Sequence, residues 1–586
     1  MVMHTGDLLT ELLIGYGVES VFGMPGGQTL ALYDGIAHRE SKIRHVTLRD
    51  ERSTVYAADA YARLTNRIGV CDVTVGPGAI KLPSGLFEAY GSSIPVLAIV
   101  SDVPMGWSHL MERGTALQSM DQESLLRPLC KRVATLRSPE QLPALLGMLM
   151  RTATSGRPGP VALIIPQDVF DQRFEYGSIE ARVDPTFGVF PSIRSVPDWK
   201  DVERAASALA AAHRPVLLAG GGTLISHAEA EVRMLAERLS MPVITTFSGR
   251  GIMEDDHPLS LGLLGNLGVG CAKRAAEESD LIFVVGCKSG QNSTFNWTFP
   301  KAGQKVVQLD VDGAEIGKVF PAEVGLVGDA RLGLRALIEV LGDQVGASME
   351  DGERAETTSR TSKTEWVRSL REAWQTESLT VLTSDAIPIL PQRVIAELNK
   401  LTGPDDLIVC DASYPSGWGM MYYCLRRVGR TILAPRGSGG LGFGFPAAIG
   451  ASFACPDRRV INLAGDGGCS YYVGEFASML YHELKIINIV FNNRSLAWID
   501  HYHRIFFEGS GAPFRWNDVD FAAVGRAYGC MGIRIERPED LSEGLREALQ
   551  ADKPAVVDII VSGEETPIAA YREAMDRQAR SNPTDK

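Results

Sequence analysis

The chain has 586 residues, of which 45% are hydrophobic and 22% charged, and its formal net charge is −13. This length exceeds what one hydrophobic core can serve and predicts roughly three or four domains of ordinary globular composition. The acidic balance argues against a nucleic-acid surface, and no apolar run approaches the roughly 20 residues that span a bilayer.

The cysteines and the first residues bear on the cellular compartment. Nine cysteines stand singly along the sequence, with no CxxC pair, which is typical of reduced thiols in a cytosolic enzyme. The opening stretch MVMHTGDLLTELLIGYG has helical spacing and early acidic residues, unlike a secretory signal peptide. We therefore expect a cytoplasmic protein that binds neither nucleic acid nor a membrane.

In chain order, short apolar runs alternate with helix-periodic segments, which predicts α/β domains built on parallel sheets. Turn-forming residues cluster over 171–198, and the stretch over 341–365 is polar and weakly periodic. The predicted domains are 1–185, 190–342 and 370–575, with a linker over 343–369.

Two distant stretches share one pattern of strand, glycine turn, helix and strand. The first is DVTVGPGAIKLPSGLFEAYGSSIPVLAIVSD, and the second is VINLAGDGGCSYYVGEFASMLYHELKIINIVFNN. Gly76 and Gly85 have the same separation as Gly465 and Gly474. One short match could also arise by chance, because many α/β proteins share this order of strand, turn and helix. A true repeat would place two similar domains on either side of an unlike one.

In the second stretch, apolar strands end at Gly-Asp-Gly and at Asn-Asn. Ligands of open α/β sheets gather at the carboxyl ends of strands. Asp466, Asn493 and a backbone carbonyl near Ser495 would form a hard oxygen set suited to Mg²⁺, which keeps its other positions for water and phosphate. Gly465, Gly467 and Gly468 would let backbone N–H groups approach an anion, so the implied ligand is a diphosphate held through Mg²⁺. The Gly-Asp-Gly stretch alone, or the Asn-Asn stretch alone, would also suit an ordinary turn.

The Gly-Asp-Gly and Asn-Asn pair resembles the signature of thiamine-diphosphate enzymes, and further stretches resemble acetohydroxyacid (acetolactate) synthases. They are VESVFGMPGG (18–27), RDERSTVYAADAYAR (49–63), VGPGA (75–79), GRPGPVALIIPQDV (156–169), HPLSLGLLG (257–265) and GGLGFGFPAAIGA (439–451). The resemblance covers essentially the whole chain in one order. It implies three doubly wound parallel-sheet domains, which are pyrimidine-binding, central and diphosphate-binding.

The resemblance also implies roles for single residues. Glu51 matches the glutamate that exchanges a proton with N1′ of the cofactor's aminopyrimidine ring, and Gln118 matches a glutamine beside the reacting carbon. Leu441 matches the bulky residue that bends the cofactor, and the Gly439 carbonyl matches the acceptor for its 4′-amino group. Further predicted cofactor contacts are Pro25, Gly26, Gly78, Ser413 and Tyr414.

Some residues depart from the family pattern. Where the synthases carry an arginine for the second substrate's carboxylate, this chain has Asn292, and Lys288 would be an imperfect substitute. The same stretch lacks an acidic pair, so FAD is not expected. Lys81 stands in GAIKLPSGL, where relatives carry Thr-Asn. Possible substrate contacts are Gly27, Lys81, His109, His501 and His503, although a solvated helix face also explains the last two.

These observations predict an enzyme that uses thiamine diphosphate and Mg²⁺ to decarboxylate a small 2-oxo acid and transfer the acyl unit to an acceptor. A lyase or hydrolase that releases no CO₂, or a simple decarboxylase, is the alternative. An inactive cofactor-binding scaffold is a remote one. Family organisation implies a homodimer at least, with a homotetramer expected.

Overall fold

A computed structural model describes residues 2–111, 114–180, 182–346, 352–507 and 512–581. Two compact units are formed, each from separate stretches of the chain. One comprises Met1–Ile193, Pro435–Val460 and Tyr471–Ile486, and the other comprises Arg194–Ala434, Ile461–Ser470 and Ile487–Lys586. Among the described residues, no helix is long and apolar enough to cross a membrane.

The first sheet has six parallel strands in the order β3-β2-β4-β5-β7-β6, and β1 pairs with β8 in a small antiparallel ribbon. The strands are β1 Val2–His4, β2 Ser20–Gly23, β3 Arg44–Thr47, β4 Gly69–Val73, β5 Val96–Asp102, β6 Arg132–Thr135, β7 Val161–Pro166 and β8 Arg173–Glu175. The helices are α1 Thr5–Gly15, α2 Leu30–Ala37, α3 Glu51–Thr65, α4 Pro83–Ser92, α5 Gln122–Leu126, α6 Leu142–Thr154 and α7 Gln167–Phe170.

The second sheet is also six-stranded and parallel, in the order β11-β10-β9-β12-β13-β14. Its strands are β9 Pro215–Ala219, β10 Val243–Thr245, β11 Ser260–Leu263, β12 Leu281–Val285, β13 Lys305–Asp310 and β14 Val324–Val327. The associated helices are α8 Trp199–Ala211, α9 Gly221–Ile225, α10 Glu229–Leu239, α11 Gly270–Glu278, α12 Ala330–Gly346 and α13 Gly352–Leu382.

The third sheet has the order β16-β15-β17-β18-β20-β19. Its strands are β15 Leu407–Cys410, β16 Ile432–Leu433, β17 Val460–Gly465, β18 Ile487–Asn492, β19 Met531–Ile535 and β20 Ala555–Ile560. The helices are α14 Pro391–Leu401, α15 Tyr414–Tyr422, α16 Gly444–Ala454, α17 Asp466–Tyr471, α18 Glu475–Tyr481, α19 Ala497–Phe507, α20 Phe521–Tyr528, α21 Leu541–Leu549 and α22 Ala569–Ser581.

Continuous apolar runs form the central strands because helices cover both faces of a parallel sheet. All six residues of β7 are buried, as are all six of β18. The predicted α/β class with three parallel sheets is confirmed. Numbered within its own domain, the first sheet has the strand order 2-1-3-4-6-5, and so has the third, whereas the second has 3-2-1-4-5-6. Two similar sheets therefore flank an unlike one in the chain, which favours the true repeat that the sequence left open.

The predicted linker over 343–369 is the main difference in the fold. Residues 343–346 end α12, and residues 347–351 lie outside the described part. From residue 352 the stretch lies in α13, which continues to Leu382. Val367 and Leu370 are buried in the core of the second sheet, with Trp374 packed against it. Tertiary packing of this apolar stripe explains why a polar segment with weak periodicity is helical.

The strand order of a doubly wound sheet determines where its ligand-binding crevice lies. The crevice forms at the carboxyl ends of two adjacent strands whose following connections run to opposite faces of the sheet. In the first sheet these strands are β2 and β4, which lead into Pro25–Gly27 and Gly76–Gly78. In the third sheet they are β15 and β17, which lead into Ser413 and Asp466. Residues named from motifs therefore follow the switch-point strands of both sheets.

Candidate functional site

Asp466 and Asn493 follow neighbouring strands of the third sheet. Strands β17 and β18 are parallel, and their register pairs Gly465 with Phe491. Asp466 comes directly after β17, and Asn493 comes directly after β18. The prediction that these two residues follow adjacent parallel strands is confirmed.

The Asp466 side chain is buried and accepts two hydrogen bonds. Gly467 donates its backbone N–H to Oδ1 at 2.8 Å, and Trp516 donates its indole N–H to Oδ2 at 3.2 Å. Burial raises the pKa of the Asp466 carboxyl to about 6 despite these hydrogen bonds. A carboxylate that is costly to ionise in a dry site is stabilised strongly when a divalent cation binds it.

Asn493 and Ser495 complete a compact oxygen-rich loop. The Asn493 amide oxygen accepts the Ser495 backbone N–H at 3.1 Å, which fixes the turn after β18. Among the described residues, no three His, Cys, Asp or Glu side chains cluster as a metal site. The predicted donors in these loops are one carboxylate, one amide oxygen and one backbone carbonyl, and hard oxygens of this kind suit Mg²⁺.

Glycines beside Asp466 keep the same loops close together. A Cβ on Gly467 would lie 3.0 Å from the Leu496 side chain and 3.3 Å from Trp516. Gly467 and Gly468 are buried at the start of α17, whereas Gly465 is partly exposed at the end of β17. This packing fits the predicted approach of backbone to an anion, although α17 is only a short helix.

Ser413 and Tyr414 open α15 after β15. Ser413 has φ 68° and ψ −146°, a region that is almost restricted to glycine and is found for other residues mainly at functional sites. The Tyr414 side chain is buried, and its hydroxyl accepts from Thr566 at 2.9 Å. Tyr414 could therefore meet a diphosphate through its backbone, since its hydroxyl is already engaged.

His501 is part of the same buried network. Its Nδ1 accepts from the Tyr414 hydroxyl at 2.8 Å, and its Nε2 donates to the Gly563 carbonyl at 2.8 Å. Burial lowers the pKa of His501, which favours the neutral ring. Both nitrogens are already bonded, so this arrangement does not support the predicted contact with substrate. His503 is half-buried and stacks on Phe507.

In the other unit, Glu51 is the first residue of α3. Asp50 caps this helix by accepting the Arg52 backbone N–H, and Glu51 is 9% exposed. Lys81 places its Nζ 2.6 Å from Glu51 Oε2. The predicted proton-exchanging carboxyl is therefore nearly buried and paired with the lysine that departs from the family pattern.

The glycine turns of the first sheet adjoin one another. A Cβ on Gly26 would lie 2.3 Å from Thr74, and Thr74 donates to the Gln28 side chain at 2.8 Å. Gly76, with φ +57°, approaches the backbone of Gln118 so closely that a Cβ would lie 2.0 Å from the Gln118 carbonyl oxygen. Gln118 itself is exposed and has a left-handed φ of 65°. The structure thus brings the Gln118 backbone to the Gly-Pro-Gly turn.

The remaining glycine contacts and substrate candidates are more open. Pro25, Gly27 and His109 are exposed, and a Cβ on Gly27 would meet nothing within 4 Å. Gly78 is the exception: it is buried, and a Cβ there would lie 2.5 Å from the Thr74 carbonyl oxygen. Exposure leaves the other residues accessible, but no described contact ties His109 to the turn residues.

The Gly439–Leu441 loop is held by a buried glutamate that the sequence analysis missed. Glu88, in α4, accepts backbone N–H groups from Arg436, Gly437, Ser438 and Gly439 at 2.7–3.2 Å. Gly439 has φ +67° and is exposed, and Leu441 is partly exposed. One carboxylate therefore fixes the backbone that carries both predicted cofactor contacts.

Glu88 also has a cation and a hydroxyl as partners. Arg63 donates to it at 3.0 Å and Ser92 at 2.7 Å. Burial opposes ionisation, but Arg63 and the N–H groups of Gly437 and Ser438 outweigh burial and hold the pKa of Glu88 at about 2. Because this pKa lies below that of the unfolded chain, ionised Glu88 stabilises the fold above pH ~4.3, and the effect is lost as pH falls towards 2.

We expect Glu88→Gln to lower the free energy of unfolding by about 3 kcal/mol near neutral pH, because the glutamine leaves several backbone N–H groups without a charged acceptor and removes one of the two carboxylates that flank Arg63. Denaturant unfolding between pH 7 and 3 measures this. The difference from the parent should shrink as the pH falls below about 4. The exposed Glu40 provides the control Glu40→Gln, which should change little. A pH-independent difference would contradict the assignment.

Trp516 is the second residue that the sequence analysis missed. It lies in an irregular segment, and its backbone N–H donates to the Arg494 carbonyl at 3.0 Å, which brings the indole to Asp466. No local pattern marks such a residue, because the contact depends on how two loops pair. Glu88, by contrast, is a charged residue among buried positions of an apolar helix, a signal that could have been noticed.

Family models match all three parts of the chain. They are the thiamine pyrophosphate enzyme N-terminal TPP binding domain at residues 3–125, the central domain at 202–337 and the C-terminal TPP binding domain at 411–559. Their order agrees with the order of the three sheets.

Curated relatives are similar over nearly the whole chain. The probable acetolactate synthase large subunit of Methanocaldococcus jannaschii is 32% identical over 572 residues, 96% of this chain and 93% of the relative. The acetolactate synthase large subunit of Parasynechococcus marenigrum is 33% identical, over 94% and 86% of the two chains. Acetolactate synthase isozyme 3 large subunit of Escherichia coli is 30% identical, over 96% of each. The chain therefore belongs to the thiamine pyrophosphate enzymes and is acetolactate synthase-like.

Proposed function

We propose that this enzyme uses thiamine diphosphate and Mg²⁺ to decarboxylate a small 2-oxo acid and to transfer the acyl unit to an acceptor. The observation that carries the proposal is the position of Asp466 and Asn493 directly after adjacent parallel strands, in a chain whose relatives are acetolactate synthase large subunits. A hard oxygen donor set at this edge suits a cation that holds a diphosphate.

The bound cofactor would supply a carbanion that attacks carbonyl carbons. Asp466, Asn493 and the Ser495 carbonyl would hold Mg²⁺, and Gly465, Gly467 and Gly468 would face the diphosphate, with Ser413 and Tyr414 nearby. On the pyrimidine side, Glu51 would exchange a proton with N1′, the Gly439 carbonyl would accept from the 4′-amino group, and Leu441 would support the bent cofactor. Pro25, Gly26 and Gly78 would line the pyrimidine, with Gln118 beside the reacting carbon.

A simple decarboxylase, or a lyase that releases no CO₂, is the second candidate. Asn292 stands where the synthases carry a carboxylate-binding arginine, and it offers no charged fork to a second 2-oxo acid. The acceptor could then be an aldehyde or a proton. The same departure leads us to propose that no stoichiometric flavin is bound.

Assembly and compartment complete the proposal. In the resembling family, the pyrimidine-binding and diphosphate-binding domains meet across subunits, so we propose a homodimer at least and a homotetramer as the working form. The domain bounds would be 1–185, 190–342 and 370–575. A cytoplasmic location would agree with the scattered cysteines.

We expect the protein, reconstituted with thiamine diphosphate and Mg²⁺, to release CO₂ from pyruvate or from another small 2-oxo acid. A panel of such acids, with CO₂ release and products followed with and without an added aldehyde, measures this. A carboligation product supports the acyl transferase, and free aldehyde alone supports the decarboxylase. If none of the acids in the panel released CO₂, the decarboxylation proposal would be rejected.

A further inference from the structure

Lys81 and Glu51 form a close ion pair on two rigid elements. The Lys81 Nζ lies 2.6 Å from Glu51 Oε2, with side-chain exposures of 42% and 12%. Glu51 begins α3, and Lys81 ends a short 3₁₀ turn over Ala79–Lys81 whose last N–H donates to Gly78 at 3.1 Å. Backbone hydrogen bonds therefore fix the positions from which the two side chains approach each other.

The other charged groups near Glu51 are bonded elsewhere, and Lys81 is the cation that contacts its carboxylate. Asp50 takes three hydrogen bonds from Arg52, through the backbone N–H, Nε and Nη2, at 2.7–3.0 Å, and Lys81 adds a weaker attraction. Glu475 accepts the Arg49 backbone N–H and the Ser478 hydroxyl.

Three further charged side chains lie in α3 and α4. Arg63 of α3 lies 2.6 Å from Asp59 of the same helix and 3.0 Å from Glu88 of α4, so these two acids share one arginine. Glu88 also accepts backbone N–H groups of the loop before α16. These acids therefore have an arginine partner, and the cation beside Glu51 is Lys81.

We propose that Lys81 is a positioning residue for the proton that Glu51 exchanges with the cofactor, an inference that depends on the proposed function. The ammonium contacts Oε2, so Oε1 is the oxygen available to the pyrimidine ring. A carboxylate fixed through one oxygen presents the other in a defined direction, which is the geometry that proton exchange with N1′ requires. The lysine is one of the residues at which this chain departs from the family pattern.

The test compares Lys81→Met, which keeps the length but removes the charge, with Lys81→Arg, which keeps the charge. Exchange of the C2 proton of bound thiamine diphosphate is measured in D₂O without substrate, by acid quench and NMR, from pH 6 to 9. We expect Lys81→Met to exchange about tenfold more slowly than the parent, a difference of about 1.4 kcal/mol. Lys81→Arg should recover most of the rate.

Lys42 provides a control, because it is exposed on the same unit and Lys42→Met should leave exchange unchanged. Thermal unfolding and cofactor binding confirm that each variant is folded and loaded. Parent-like exchange in loaded Lys81→Met would overturn the inference. Steady-state kinetics in which Lys81→Met changes only KM would also overturn it, because that result would assign Lys81 to substrate binding. If the parent itself fails to accelerate exchange, the proposed function fails instead.

Discussion

Replacing Asp466 with alanine should weaken the binding of thiamine diphosphate by at least about 100-fold in the presence of Mg²⁺. Asp466 is the one carboxylate of the proposed ligand set, and a hard divalent cation depends on such a ligand when water and phosphate fill its other positions. Isothermal titration of the apoprotein at fixed Mg²⁺ measures the change.

The fold should survive this substitution, which separates lost binding from lost structure. Burial raises the pKa of Asp466 to about 6. The folded state therefore binds the extra proton between about pH 4 and 6, and above pH 6 the ionised side chain costs about 3 kcal/mol. That cost is already the net of burial and of the hydrogen bonds that Asp466 accepts. Alanine removes it, whereas the small cavity and the unpaired N–H groups of Gly467 and Trp516 that alanine leaves cost about 1–3 kcal/mol. Apo Asp466→Ala should therefore unfold at nearly the parent temperature.

Asp405 is exposed and ion-paired, so Asp405→Ala is the matched control and should bind the cofactor like the parent. If Asp466→Ala retains thiamine diphosphate with parental affinity, neither the cation site nor the proposed function stands. If the parent protein bound thiamine diphosphate equally well without Mg²⁺, the role of the cation would be contradicted but the rest of the proposal would stand.

The parallel sheets and the Asp466 site were predictable because they follow from local patterns. Runs of buried Val and Ile define strands, and glycine-rich turns mark where they end. Once β17 and β18 are taken as parallel neighbours, the positions of Asp466 and Asn493 follow from the strand ends alone. The equal glycine spacings agree with the shared strand order of the first and third sheets, but one short match could not decide between a repeat and chance.

Contacts between distant loops were not predictable in the same way. The bond from Trp516 to Asp466 depends on the pairing of Ser495 with Arg515, and no periodicity encodes that pairing. His501 suggested a solvated helix face, yet it is completely buried, because Tyr414 and Gly563 satisfy both of its nitrogens. A single sequence gives residue types but not the partners that make their burial favourable.

Replacing Glu51 with glutamine should lower turnover by about 10²–10⁴-fold, the usual contribution of a positioned acid–base group. Glutamine keeps the size and one acceptor oxygen of Glu51, but it cannot carry the proton exchanged with N1′. Affinity for thiamine diphosphate should change less than about tenfold, since the proposed diphosphate contacts lie on other residues. Steady-state turnover and isothermal titration measure the two effects separately.

Glu19 offers the matched control, because it is an exposed glutamate in the same unit that pairs with Arg67, and Glu19→Gln should leave turnover unchanged. Glu51→Gln also leaves the Lys81 ammonium without its carboxylate. If Lys81 acts only through Glu51, adding Lys81→Met to Glu51→Gln should cause little further loss, so the two effects should not be additive. If Glu51→Gln kept more than about a tenth of the parent turnover, this carboxyl would not be the group that exchanges the proton with N1′. Lys81 would then have no catalytic residue to position.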